Sequence, residues 1–282
     1  MKLRRENDDF VRLIAALEPW LGQVVIIGGW AHRLYRLHPR ARQLDYTPIM
    51  TLDADIAVPR QPDVKHPDLR ECMLANGFRE ELMGEDQPPA THYRLADSET
   101  GFYAEFLTPL AGSEYTRGGK RNATINTAGA VSQKLRHIEI LLNAAWKVGL
   151  GESNGFAFPQ PCIVNVANPA AFLAHKLLIH TKRSHARFHK DVLYIHDTLQ
   201  TFGAYLPELH RNWVSEVRPL LHPKSVRIVE SAAGRLFGEV NDAVRRAARI
   251  AGTRGLSPET VLEVCNVGLK QVFGEVALSN RR

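Results

Sequence analysis

The chain has 282 residues, 44% of them hydrophobic, and a net charge of +6 with a sequence pI near 9.3. That is enough apolar material for one large domain or two small ones, and the basic balance suits acidic partners such as nucleotides or RNA as well as it suits a plainly solvated surface. The sequence excludes a transmembrane helix for want of a long apolar run, a signal peptide for want of an apolar core in the first residues, and a disulfide framework or zinc site because Cys72, Cys162 and Cys265 are few and scattered, so a cytoplasmic protein is expected.

In chain order, Phe10, Leu13, Ile14 and Leu17 lie at helical spacing and predict an amphipathic helix over 3–20, stopped by Gly22. The β-branched run at 24–27 predicts a buried strand. After Gly28-Gly29, Ala31, Leu34 and Tyr35 restart a helical period that Pro39 ends. Residues 40–48 read as a polar loop, and 50–58 alternate as a strand with one wet face. A helix is predicted over 67–76, with Gly77 just past its end. Two strands, 92–96 and 102–107, flank a polar turn at 97–101. Residues 112–126 read as a polar, basic loop, 139–145 as ambiguous, and 149–161 as a Gly- and Pro-rich connector. A short strand at 162–166 leads through Asn168, an N-cap candidate, and Pro169, a first helical residue, into a mostly helical remainder. The expected architecture is α+β: a mixed-sheet domain over 1–160 and a helical domain over 161–282.

The chemistry concentrates at Gly28-Gly29 and at Asp53-Ala54-Asp55. On a strand, Asp53 and Asp55 share one face, where two like charges repel unless a cation relieves them. A hard divalent ion suits two carboxylates and leaves room for phosphate oxygens and water; two solvated aspartates at a strand edge are the plain alternative. A Gly-Gly turn between a buried strand and a helix lets the backbone approach a phosphate, or is simply tight. It lacks the third glycine of a dinucleotide fingerprint, and Gly118-Gly119-Lys120 is followed by Arg121, so it is no Walker loop. Glu105 stands in the apolar run 102–107 and shares a face with Tyr103. A carboxylate there needs a partner: an arginine in a structural ion pair, a metal, or a hydroxyl to deprotonate.

The order of strand, Gly-Gly, helix, Asp-x-Asp strand and later single-acid strand resembles the nucleotidyltransferase fold, the polymerase-beta-like superfamily, and is most similar to its AbiEii toxin type. The matching stretches are Ile27-Gly28-Gly29-Trp30-Ala31, Thr51-Leu52-Asp53-Ala54-Asp55 and Ala104-Glu105-Phe106-Leu107. The helix around Lys176 and the pair Lys190-Asp191 extend the likeness to roughly residues 20–200. The resemblance implies phosphate contact by Gly28 and Gly29, ligation of Mg2+ (or Mn2+) by Asp53, Asp55 and the third acid Glu105, and nucleotide-side roles for Lys176 and Asp191. It implies transfer of a nucleotidyl group from an NTP to RNA, tRNA, a protein or a small molecule, and a toxin–antitoxin context with an antitoxin partner. A catalytically silent protein that binds nucleotide or RNA on the same fold is the rival. This chain departs from the more familiar Gly-Ser by carrying Gly29, and from the commoner Asp by carrying Glu105.

Other features have two readings. Lys176 could offset charge in a transition state or snorkel beside Phe172, Leu173 and Leu177. His175, His180, His185, His189 and His196, with Lys182, Arg183, Arg187 and Lys190, could meet RNA phosphate or form a solvated face. Arg117, Lys120 and Arg121 could close over a triphosphate or stay exposed. Trp30 reads as a core anchor before a base-stacking ring.

Overall fold

A computed structural model of the chain describes residues 2–85, 88–182 and 185–274. It divides into two compact units, one formed by Met1–His38 and Ile49–Asn168, the other by Pro39–Pro48 and Pro169–Arg282. The fold is α+β.

In the first unit, helix α1 (Lys2–Ala16) buries the predicted stripe of Phe10, Leu13 and Ile14, with Leu17 just beyond. It ends at Ala16 rather than Gly22, because Pro19 disfavours helical geometry at Glu18 and turns the chain into a short 3-10 segment. Strand β1 (Val25–Ile27) runs into helix α2 (Gly28–Leu34). Strand β2 (Asp53–Ala57) follows. Helix α3 (Leu69–Ala75) starts at an Asp68–Glu71 capping box and gives way to Gly77 at φ +84°. Then come β3 (Phe78–Met83), β4 (Ala90–Leu95), β5 (Tyr103–Pro109), β6 (Thr124–Thr127) and β7 (Ala130–Leu135). A short α4 (Glu139–Leu142) precedes β8 (Trp146–Leu150) and β9 (Cys162–Val166).

These strands form one mixed sheet in the order β3-β4-β5-β2-β1-β9-β8, with β7 pairing β5 and β6. β2 is central, antiparallel to β1 and parallel to β5. On one face Ala54, Ile56, Ala104 and Phe106 are buried. Phe10 stacks on Trp30 at 3.9 Å, and Trp30 meets Phe102 edge-on at 6.2 Å. Trp30 is fully buried and is therefore the core anchor. Arg33 lies over its ring at 4.4 Å and bonds buried Glu6 at 3.1 Å, which fastens α1 to α2.

The sequence reading missed β3, β7 and β8, the last residues of β8 falling in the expected connector, and placed most of β6 inside a loop. β3 is a polar edge strand whose Glu80, Glu81 and Arg79 hide its period; β6 has only four residues. The basic segment before β6 folds back on itself, with Tyr115 bridging Arg121 and Thr116 N–H donating to Lys120 O.

The second unit is helical: α5 (Pro169–Ile179), α6 (His185–Thr201), α7 (Leu206–Asn212), α8 (Pro223–Glu230), α9 (Ala232–Leu236), α10 (Asp242–Ile250) and α11 (Pro258–Phe273). Pro169 is the first residue of α5, as its fixed φ favours. The segment 39–48 is strapped to these helices. Arg42 N–H donates to Thr201 O at 2.8 Å, and the Tyr46 hydroxyl to Asp197 Oδ1 at 3.1 Å. Arg254 bonds Asp197 Oδ2 and Thr47 O, each at 2.8 Å, and covers the Tyr46 ring at 4.0 Å. Asp197 is wholly buried and receives His196 Nδ1 as well, at 2.9 Å. Among the described residues no helix is long and apolar enough to cross a membrane.

Candidate active site

The face of the sheet opposite the core is half-buried and polar. In the parallel β2–β5 pair, Asp53 stands beside Tyr103 and Asp55 beside Glu105. On the other side of β2, Asp55 is level with Ile27, the residue before Gly28. On the other side of β5, Glu105 is level with His92. Strand pairing therefore sets Asp55, Glu105 and His92 in one row across three strands, with Asp53 and Tyr103 in the next, and Gly28, the first residue of α2, follows the Ile27 that is level with Asp55.

The sharpest contact in this row involves Gly28. Its φ is +63°, and a Cβ built there would overlap Oδ2 of Asp55 and lie 3.0 Å from its Cγ. The glycine thus makes room for a carboxylate of its own chain, which the sequence argument, looking for a phosphate, did not see. Gly29 is the buried second residue of α2. Asp53 accepts a hydrogen bond from the Thr51 hydroxyl through Oδ1.

Glu105 meets His92 and Gln133. His92 Nε2 is 3.0 Å from Oε1, and Gln133 Nε2 donates to Oε2 at 3.1 Å. Burial holds the His92 pKa below the ordinary imidazole value, with Arg94 adding to the effect and Glu81 and Asp53 opposing it. His92 stacks on Tyr103 at 4.6 Å, and Arg94 lies over the same ring at 5.6 Å. The Tyr103 phenol is pushed up to about 12, first by burial and then by the charges of Asp53, Glu105 and Asp55.

The donor set suits a hard divalent cation: Asp53 and Asp55 share a strand face beside a helix start. Among the described residues, however, no group of three or more His, Cys, Asp and Glu side chains is gathered to hold a metal ion unaided. An ion at Asp53 and Asp55 would draw its other ligands from phosphate and water, the usual habit of Mg2+.

Lys176 and Asp191 belong to the helical unit, where they pair at 2.6 Å with both side chains buried. Lys176 does not snorkel: its ammonium lies 5.4 Å from the Phe172 ring centre and 5.0 Å from that of Tyr194. Of the histidines, His180 Nδ1 meets Leu177 O at 2.6 Å, and His196 is buried against Asp197. Arg183 lies outside the described residues, as do the side chains of Lys182, His185 and Arg187.

Sequence reasoning named Tyr103 but gave it no role, and missed His92 and Gln133 as partners of the third acid. The signal for His92 was its place in an alternating strand next to the acid's own; Gln133, on an unforeseen strand, gave none.

A family model described as nucleotidyltransferase matches residues 5–218, and the chain belongs to that family. Two solved structures are similar to it. One is an antigenic nucleotidyltransferase-like protein from Paracoccidioides brasiliensis, 15% identical over 68% of this chain and 76% of that one, with a TM-score of 0.32. The other is MenT4, a nucleotidyltransferase toxin from Mycobacterium tuberculosis H37Rv, 14% identical over 95% of this chain and 82% of that one, with a TM-score of 0.37. No curated protein matches the chain.

Proposed function

We propose that this nucleotidyltransferase moves a nucleotidyl group from an NTP to an acceptor hydroxyl with the help of Mg2+ (or Mn2+), and that its centre is Asp53, Asp55 and Glu105 beside Gly28 and Gly29. The observation that carries the reading is the row in which Asp55 lies between the Gly28 backbone and Glu105.

Asp53 and Asp55 would hold the cation; when bound, it supplies positive charge to the triphosphate and its developing leaving group. Each residue has a task that follows from its place. Asp55, seated against Gly28, has its carboxylate beside the first residue of α2, so charge on Asp55 and phosphate held near the Gly28-Gly29 backbone would meet across one turn. Thr51 fixes the rotamer of Asp53 through Oδ1. Glu105 faces the hydroxyl that attacks the α-phosphorus. The O–H proton passes to the Glu105 carboxylate, a new P–O bond forms, the bond to the β-phosphate oxygen breaks, and pyrophosphate departs.

For the acceptor we favour RNA, including tRNA. Residues 39–48 and 169–282 carry 19 of the chain's 36 Lys and Arg but only 11 of its 30 Asp and Glu, so the basic excess lies with the helical unit and not with the carboxylate site. A polyanion gains from such a surface by counterion release. The buried Lys176–Asp191 pair is proposed to serve the nucleotide side. A toxin role follows from the AbiEii resemblance and calls for growth arrest on expression.

The test is incubation with each α-labelled NTP, Mg2+ and total cellular RNA, with wild type beside Asp53→Asn and Asp55→Asn. Label should appear in RNA with wild type and drop at least about a hundredfold in either variant. NTP binding without transfer to any acceptor would favour the silent binding protein.

A further inference from the structure

We infer that His92 and Gln133 are positioning residues: they clamp Glu105 for the acceptor and keep it out of the metal's coordination, which they leave to Asp53 and Asp55. This rests on the reading of the site as a metal-nucleotide centre.

Both oxygens of Glu105 are engaged, Oε1 by His92 at 3.0 Å and Oε2 by Gln133 at 3.1 Å. A carboxylate oxygen only accepts, so a ring nitrogen 3.0 Å from it calls for the hydrogen on Nε2. The two donors come from different strands, β4 and β7, each paired to β5. Strand β4 meets the first half of β5 and β7 the second half, so the donors reach the carboxylate from two directions and fix its rotation about the last side-chain bond.

The clamp is itself braced. His92 lies flat on Tyr103, 15° from parallel. Arg94 covers Tyr103 and is tied to Glu81 at 2.7 Å and to the Gly101 carbonyl at 3.1 Å. Supporting shells of this kind set the orientation of a reacting group. A cation on Glu105 would compete with the Gln133 hydrogen bond and the close His92 contact, whereas a neutral hydroxyl would add one more donor to a carboxylate already aimed. The lack of any three-ligand cage among the described residues points the same way.

Three measurements on the full chain decide it. The first is Mn2+ binding by electron paramagnetic resonance with inorganic triphosphate present. Glu105→Gln, His92→Leu and Gln133→Leu should stay within about twofold of wild type, and Asp53→Asn should bind at least about tenfold more weakly. A tenfold loss in Glu105→Gln overturns the inference. If wild type takes up no Mn2+, it is the metal-nucleotide reading that fails, and the clamp is judged by the second measurement, the 15N signals of the imidazoles. Wild type should show His92 with hydrogen on Nε2, and Glu105→Ala should shift that signal; an unmoved signal overturns the clamp. The third is RNA labelling. His92→Leu and Gln133→Leu should lower kcat about tenfold or more with KM for NTP unchanged, and His92→Gln, which keeps a donor, should recover most of it. A loss confined to KM, or no recovery in His92→Gln, overturns the positioning role.

Discussion

Gly28→Ala is the substitution on which the site geometry can be judged most directly. Residue 28 sits at φ +63°, where an L side chain costs about 1–2 kcal/mol. The new Cβ also overlaps Asp55 Oδ2 and stands 3.0 Å from Cγ and 3.2 Å from Cβ of that residue. The carboxylate is on a central strand and must rotate away, so the backbone strain and the lost placement of Asp55 add. A destabilisation of about 2 kcal/mol would lower the melting temperature by roughly 4–8 °C in a chain of this size. Activity should fall by about a hundredfold or more, since a shift near 1 Å in a reacting group can cost that much. The control is Gly22→Ala, where nothing lies within 4 Å of the added atom and both readouts should hold. In the double variant Gly28→Ala with Asp55→Ala, the overlap with Oδ2 and Cγ vanishes, so the two stability losses should not add. A Gly28→Ala protein with wild-type melting and wild-type turnover, or losses that simply sum in the double variant, would refute the placement of Asp55 against the α2 start.

The buried Glu6–Arg33 pair, 1% and 7% exposed, should make Glu6→Ala cost about 3–5 kcal/mol in urea unfolding, because Arg33 is left charged in the core. Lys176→Met should be destabilising because it takes a buried charged partner from Asp191, while Lys176→Met with Asp191→Leu should recover most of the loss, as read by thermal melting. Absorbance at 295 nm should show a phenol ionising near pH 12 that is missing in Tyr103→Phe and moves down in Asp53→Asn. Its folded pKa lies above the ordinary 10, so the stability it contributes is whole below pH 10 and is lost as pH rises through about 12; urea midpoints of wild type and Tyr103→Phe across that window check the sign.

The front of the chain could be read from sequence because its signals are local. The α1 stripe obeys a period, β9 spans Cys162–Val166 as its apolar run predicts, and the alternation around Asp53 and Asp55 puts both acids on the wet face. What stayed hidden depends on register between distant strands. Nothing local says that Glu105 should stand level with His92, or that a glutamine on β7 reaches its other oxygen. The purpose of Gly28 was hidden for the same reason: its close neighbour, Asp55, is 27 positions away in sequence. Edge strands such as β3 escape detection because solvent on one side removes the pressure for apolar alternation.

The strap formed by residues 39–48 bears on how the chain matures as it is made. Synthesis runs from the N-terminus, and domains ordinarily fold as units in that order. Here the piece bearing Tyr46 and Thr47 emerges first, and the Thr201 carbonyl, Asp197 and Arg254 that hold it are translated at least 150 positions later. Until then the ribosome holds a nascent chain whose Gly28 and Asp53 flank an unanchored linker. A truncation after Asn168 would freeze that immature condition, so the sheet unit alone is best expressed with 39–48 replaced by a short polar bridge.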